Sequence, residues 1–291
     1  MRKLTIGMPC FDDMEGVYMT IQALRLYHAE ALGCVQILVV DGNPQSDHGR
    51  ATSHFCANAG PLVKYLPAPH AYGTAQTKQL VFDHAQTEFV LCMDCHVLLE
   101  PGSLSQLIAF LEKDGGNLLQ GPLVYDDHRH ISTHMEVKWS GGMEGIWATD
   151  ERGRNPKAKP FEIPAQGMGL FACRKDAWPD FHPLFQGFGG EEVYIHRKFR
   201  AMGRKTLCLP FLRWHHRFGR PGGQPYPNIL EERVFNYVVG HLDCGLDPSP
   251  VVDHFKTLKE IPNQNVDHAS RVAHWAFGEF QKRQAQKLCA A

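Results

Sequence analysis

Val35-Gln36-Ile37-Leu38-Val39-Val40-Asp41-Gly42-Asn43 is apolar almost without interruption up to Val40 and then breaks into an acid, a glycine and an asparagine. A strand with no apolar-polar alternation is buried on both faces, as strands of parallel sheets are, and its Asp-Gly-Asn end reads as a turn. Upstream, Leu4-Thr5-Ile6-Gly7-Met8-Pro9 reads as a short strand stopped by proline, and Val17 to His28 carries a helical period through Val17, Ile21 and Leu24. Downstream, Val63-Lys64-Tyr65-Leu66 is a weaker strand, Thr74 to His84 a helix and Glu88 to Met93 a fourth strand, and Pro101-Gly102-Ser103 opens a helix over Leu104 to Lys113. This alternation predicts an α/β fold, a doubly wound, mostly parallel sheet flanked by helices. Ligands of such sheets bind beyond the C-terminal strand ends. There Cys10-Phe11-Asp12-Asp13, Asp41-Gly42-Asn43 and Asp94-Cys95-His96 fall, three acidic loops expected around one crevice.

Composition sets outer bounds. The 291 residues are 43% hydrophobic and 21% charged, ordinary for one large or two modest globular domains. A formal charge of −1 supplies no bulk pull toward nucleic acid or anionic membrane, so a polyanionic partner would have to be held locally. The opening Arg2-Lys3-Leu4 meets Pro9, Asp12, Asp13 and Glu15 before an apolar run builds, and no run approaches the roughly 20 residues needed to span a bilayer. The expectation is a cytoplasmic protein without a membrane span. The 9 cysteines are scattered, an odd number that reads as reduced thiols; Cys92-x-x-Cys95 lacks the second pair a zinc site needs.

From Asp126 to Pro164 periodicity weakens and charged, Gly and Pro residues accumulate, which reads as a long irregular stretch. Order returns at Gly167-Met168-Gly169-Leu170-Phe171-Ala172-Cys173. Gly187-Phe188-Gly189-Gly190-Glu191-Glu192 then leads into a helix over Val193 to Met202, and Thr206 to Leu212 is a strand followed by Arg213-Trp214-His215-His216-Arg217-Phe218. Beyond Pro248 one more helix is expected, Ala269 to Lys287. The domain reading is 1–240, with a nucleotide-binding half 1–100 and a catalytic half 101–240, then a C-terminal helical extension over 241–291.

Residues i and i+2 of an extended segment point the same way, so the Asp94 carboxylate and His96 imidazole can converge on one divalent ion. Four features follow in order: an acid after the second strand, Asp94-x-His96, Gly189-Gly190-Glu191-Glu192, and His216 with a basic-aromatic segment. This order resembles the GT-A glycosyltransferases, specifically glycosyltransferase family 2 and the related polypeptide N-acetylgalactosaminyltransferases, over about Leu4 to Pro221. In the latter the metal motif is Asp-x-His, the acceptor-side motif Gly-Gly-Glu-Asn, and a later His-x-Phe supplies a third ligand. Here stand Asp94-Cys95-His96, Gly189-Gly190-Glu191-Glu192 and His216-Arg217-Phe218, and Gly169-Leu170-Phe171 resembles their Gly-Gly-Leu-Phe segment.

The resemblance implies a metal-dependent transfer of a sugar from a nucleotide-sugar donor, a UDP-sugar, to a hydroxyl acceptor. Asp94, His96 and His216 would hold the ion, with His215 the rival ligand. A mixed oxygen and imidazole set suits Mn2+ better than Mg2+, which remains an alternative. Asp41 matches the acid that contacts uracil; Lys78 with Gln79 matches the helix residues that approach the nucleotide. Asp12 and Gly169 are further donor-side candidates, although two acids at a helix start, Asp12 and Asp13, are equally explained as a cap. Glu192 matches the base of inverting enzymes and Glu191 the substrate-binding Glu of retaining ones. Arg152, Arg154, Lys157 and Lys159 with Trp139 and Trp147 could contact DNA, and the resemblance reaches phage-type sequences; a hydroxymethylated base in DNA is then one acceptor, and host cytoplasm the place. Protein, glycan or small-molecule acceptors are alternatives, and a non-catalytic nucleotide-sugar or metal-binding module is the reading of another class. A nucleotidylyltransferase is disfavoured because Met8 to Asp13 is acidic and has no glycine.

Overall fold

Strands β1 (Leu4–Cys10), β2 (Val35–Asp41), β3 (Val63–Pro67) and β4 (Phe89–Met93) lie parallel in the order β3-β2-β1-β4. Helices α1 (Met14–Tyr27), α2 (Asp47–Asn58) and α3 (Thr74–His84) connect them. The computed structural model describes residues 2–219 and 223–290. Pro221, where the resemblance ends, and the terminal positions 1 and 291 lie outside the described residues.

Pro9 does not stop β1, which continues to Cys10. The β4 ladder ends at Gly7, and Cys10 is turned toward β2, where its carbonyl accepts from Gly42 N at 2.9 Å. The prolyl nitrogen therefore faces the side on which no ladder bond is due. Val17, Ile21 and Leu24 of α1 pack with Leu4, Ile6 and Met8 in one core cluster. Each such side chain contributes about 1.5–3 kcal/mol of transfer free energy. On the other face Val81 of α3 packs directly on Gly7, where a Cβ would fall 2.0 Å from Val81 Cγ1.

The remaining elements are β5 (Val97–Leu99), α4 (Ser103–Asp114), β6 (Leu118–Gln120), β7 (Leu123–Val124), β8 (Ile131–Ser132), β9 (His134–Ser140), β10 (Met143–Ala148), β11 (Phe161–Glu162), β12 (Leu170–Arg174), α5 (Glu191–Ala201), β13 (Thr206–Cys208), β14 (Trp214–His216), α6 (Leu230–Asp243), α7 (Ser249–Phe255) and α8 (Asn263–Ala290). Among the described residues, eight strands form one sheet in the order β11-β13-β6-β12-β4-β1-β2-β3. Its β12 runs antiparallel between β4 and β6. A smaller sheet, β5-β14-β7-β8, stands at the C-terminal end of β4. The mostly parallel, helix-flanked α/β sheet expected from the alternation is present.

Several boundaries differ. The stretch from Asp126 to Pro164 is not structureless, because β9 and β10 form an antiparallel hairpin turned at Gly141-Gly142. The expected strand Thr206 to Leu212 ends at Cys208, since Leu209 to Leu212 close a turn (Leu212 N to Leu209 O, 2.9 Å), and Trp214–His216 is a separate strand of the small sheet. The last helix is longer than Ala269 to Lys287. A domain boundary at 240 would cut α6, whose Val234, Val238 and Val239 share a core cluster with Val266, Ala269 and Ala273 of α8. Helix α6 thus packs with the C-terminal helices. No described helix is long and apolar enough to cross a membrane.

Three segments meet at Gly121, whose carbonyl accepts from Trp214 Nε1 at 2.8 Å and Gln166 Nε2 at 3.0 Å. A Cβ there would lie 1.7 Å from the Leu212 carbonyl oxygen, a backbone atom that cannot swing aside. Gly121→Ala is expected to lower unfolding free energy by roughly 1–3 kcal/mol or more in urea titration; an unchanged midpoint would contradict this crossing.

Candidate active site

Asp94, Cys95 and His96 form a turn, not an extended strand, between β4 and β5. Asp94 N donates to Gly169 O at 2.9 Å, which ties the turn to the start of β12. Convergence of Asp94 and His96 is therefore produced by the turn, with His96 Nε2 3.9 Å from Asp94 Oδ2. Strand β14 pairs antiparallel with β5 in the register His216↔Val97, which sets His216 beside His96. His216 Nε2 lies 3.2 Å from His96 Nε2 and 3.7 Å from Asp94 Oδ2. A point equidistant from these three atoms lies about 2.1 Å from each, the length of a divalent-metal bond to nitrogen or oxygen. His216 Nδ1 is buried without a hydrogen-bond partner among the described residues. His215 faces the other way, toward Glu100 (3.7 Å) and His128 (3.2 Å), as strand alternation requires.

Burial pushes the Asp94 carboxyl up, but His216, Lys78 and His96 outweigh it and hold it well below the usual carboxylate range. Gly169 is pressed against this group: a Cβ on it would fall 3.2 Å from Asp94 Oδ2 and 3.1 Å from the Trp214 ring.

Glu191 and Glu192 open α5 behind Gly190, which caps the helix at φ 96°. Gly190 also lies so close to α6 that a Cβ would fall 2.9 Å from Asn236 Cβ, so the glycine of this lead-in is a packing requirement as well as a turn. Glu191 accepts from the Thr74 hydroxyl at 2.6 Å and from Lys78 Nζ at 3.4 Å. Burial lowers the Lys78 ammonium, yet Glu191 and Asp94 more than restore it and keep it protonated. Glu192 is pushed up to about 7, first by burial and then by the Glu191 carboxylate; Gly190 N donates to it at 3.3 Å.

The other donor-side candidates divide. Lys78 is brought to the site. Gln79, one helical residue on, is turned away, its amide bonded to Trp178 Nε1, Phe181 N and Asp180. Asp41 is fully buried, its oxygens taken by Asn43 N (2.9 Å) and Tyr65 OH (2.8 Å), and burial raises its carboxyl. Through Asn43 N it shapes the turn at the end of β2. Asp12, at φ 50°, holds Asn43 Nδ2 (3.0 Å) and Ser46 Oγ in the neighbouring loop. Asp13 caps α1 through Gly16 N (2.9 Å) and also accepts from His96 Nδ1 (2.9 Å). The contacts of Asp13 with His96 and of Thr74 with Glu191 were not expected. Both join residues more than 80 positions apart, and no local pattern announces such a pair.

A cavity of about 140 Å³ at the strand ends is lined by Phe11, Tyr72, Thr74, Lys78, Asp94 and His96. A larger one, about 520 Å³, is lined by Met135, Met143, Trp147, Glu192, His216 and Phe218. Lys78, Asp94, Phe188 and Tyr226 line both, so the Asp94-His96-His216 group stands where the two meet. Of the basic-aromatic stretch, Arg152, Arg154, Lys157 and Lys159 are all exposed, and Trp139 is packed away from the cavities. Trp139 packs on Tyr237 and His254, Arg152 pairs with Asp150 over the Phe161 ring, and Arg154 pairs with Glu151. Trp147 alone of the two tryptophans reaches the larger cavity.

The family model described as glycosyl transferase family 2 matches residues 5–178. Among curated proteins, N-acetylgalactosaminyltransferase 7 of Mus musculus is 27% identical over 190 residues, 58% of this chain and 28% of that protein. The Homo sapiens protein is 26% identical over 187 residues, 57% of this chain and 28% of its own length. The chain therefore spans little more than a quarter of the curated relatives it matches. Among solved structures, GalNAc-T7 with UDP, GalNAc and Mn2+ is similar at a TM-score of 0.66 and 18% identity, covering 83% of this chain and 48% of that one. The mannosyltransferase PcManGT from Pyrobaculum calidifontis in complex with GDP-Man and Mn2+ gives 0.54 and 13%, covering 100% and 76%. These structural likenesses establish a shared GT-A fold.

Proposed function

This chain belongs to glycosyl transferase family 2, and from that premise we propose that it moves a sugar from a nucleotide-sugar donor to a hydroxyl acceptor with a divalent ion at Asp94, His96 and His216. The observation that carries the reading is the junction: the three ligand atoms sit between a cavity at the parallel strand ends and a cavity holding Glu192. The imidazole and carboxylate donors suit Mn2+, which bound to the diphosphate would supply Lewis acidity for the leaving group. Lys78 would lend the same diphosphate a fixed positive charge. The proposed donor is a UDP-sugar, by likeness to GalNAc-T7, whose structure holds UDP.

Glu192 would take the proton of the attacking hydroxyl. A carboxylate poised near 7 is matched to that task at neutral pH, whereas Glu191 is committed to Thr74 and Lys78 and would fix the substrate. The larger cavity presents Met135, Met143, Trp147, Phe188, Phe218 and Tyr226 beside carboxylates. That lining fits a neutral acceptor with a flat apolar face, of which a hydroxymethylated nucleobase is one and a sugar ring another, and repels a phosphate backbone.

The test is incubation with UDP- and GDP-sugars and Mn2+, reading nucleotide release and the mass gained by glycan, peptide and hydroxymethylated-DNA acceptors. UDP release that needs Mn2+ is expected. Donor affinity without release under any acceptor would mean a non-catalytic binding module and end the proposal.

A further inference from the structure

We infer that Asp13 is a positioning residue that fixes the His96 imidazole in the tautomer able to hold a metal, an inference resting on the metal reading of Asp94, His96 and His216. The two nitrogens of His96 face different partners. Nδ1 lies 2.9 Å from Asp13 Oδ2, and Nε2 faces His216 Nε2 at 3.2 Å and Asp94 Oδ2 at 3.9 Å. An ionised carboxylate can only accept, so Nδ1 carries the proton and the Nε2 lone pair is left pointing into the triangle. A histidine ligand whose other nitrogen donates to a carboxylate is oriented and made more basic.

Asp13 is itself held. Its Oδ1 caps α1 by accepting from Gly16 N at 2.9 Å, and the residue, 7% exposed, lines the smaller cavity. Gly16 makes room for it, since a Cβ there would fall 2.6 and 2.8 Å from the two carboxylate oxygens. Arg217, next to His216, brings its guanidinium within 3.9 Å of Oδ1, and its backbone N donates to His96 O at 3.3 Å. One side chain thus ties the start of α1, the Asp-x-His turn and the strand end that carries His216. Asp13, Cys95 and His96 also lie close enough to be considered a ligand group of their own. However, the 2.9 Å separation of Nδ1 and Oδ2 is a hydrogen bond, while Cys95 Sγ stands back at 3.7 and 3.8 Å from the same two atoms.

Asp13→Ser keeps an N-cap side chain but is too short to reach His96; Asp13→Asn keeps the shape and an acceptor but not the charge. In metal-free protein, 15N NMR of the His96 ring, assigned by its loss in His96→Ala, should show protonated Nδ1 in the wild type and in Asp13→Asn, and a mixture in Asp13→Ser. Mn2+ affinity, read by electron paramagnetic resonance, should fall roughly 10- to 100-fold in Asp13→Ser, and less in Asp13→Asn, with thermal midpoints near wild type. Wild-type affinity and an unchanged ring spectrum in Asp13→Ser would overturn the inference. So would a thiolate-to-metal absorption band with Co2+ that both Cys95→Ser and Asp13→Ser abolish, since Asp13 would then be a ligand of a second ion. If the wild type binds no Mn2+, the metal reading fails, and the ring spectrum still decides whether Asp13 sets the tautomer.

Discussion

Asp94→Ala should lose Mn2+ binding and metal-dependent nucleotide release while the protein stays folded. Asp94 is the one carboxylate of the ligand triangle, and its oxygen sits 3.7 and 3.9 Å from the two imidazole nitrogens. His216, Lys78 and His96 hold it ionised over the whole working pH range despite burial. Two neutral imidazoles alone would retain little affinity for a hard divalent ion. With several kcal/mol of leaving-group stabilisation gone, turnover should drop on the order of 10³-fold or more. Lys78 keeps Glu191 as a partner at 3.4 Å, so no buried charge is stranded. Nucleotide release and Mn2+ titration read the two effects, and circular dichroism checks the fold. Turnover and affinity at wild-type levels would remove the ion from this site.

Glu192→Gln should cut turnover by about 10²–10⁴-fold and erase the acidic limb of the pH profile. Because burial and Glu191 raise the Glu192 carboxyl to about 7, the base form accumulates only above that pH. The wild-type rate should accordingly climb as pH passes through about 7 and then level off. Stability runs the other way. Between the ordinary Glu value of 4.5 and about 7 the folded protein holds a proton that the unfolded chain has released, so unfolding free energy falls as pH rises through that window. The full difference is on the order of 3 kcal/mol, and Glu192→Gln should flatten it. A variant with undiminished turnover, or a profile that keeps its rise near pH 7, would take the base role from Glu192. The anomeric configuration of the product, read by NMR, distinguishes a direct displacement assisted by Glu192 from a retaining course.

The parallel half of the sheet was legible because its strands are buried on both faces and say so in unbroken apolar runs such as Val35 to Val40. The β9-β10 hairpin was not, because only Met135, Glu144 and Gly145 of its residues are buried and its exposed residues mix Glu136 and Lys138 with Val137 and Ile146, so no apolar-polar alternation marks it. Helix α2 escaped for a similar reason: it buries Gly49, Thr52 and Cys56, a face with almost no apolar contrast. Of the site, the residues with short-range motifs, Asp94-x-His96 and Glu191-Glu192, could be singled out. The choice of His216 over His215 needed the register of β14 on β5. The fates of Asp41 and Gln79 depended on which neighbours, Tyr65 and Trp178, claimed their hydrogen-bonding groups, and that is decided by tertiary packing alone.

His96 and His216 stand 120 positions apart in the chain, on segments brought side by side by the β5-β14 pairing. An ion shared between them would therefore be a reversible cross-link closing a very long loop, the inorganic counterpart of a disulfide, of which there is none among the described residues. Because unfolding would separate the ligands and release the ion, its binding energy would add to the stability of the fold. The melting temperature should accordingly rise with each tenfold increase in free Mn2+ above the dissociation constant, and a chelator should return it to the metal-free value.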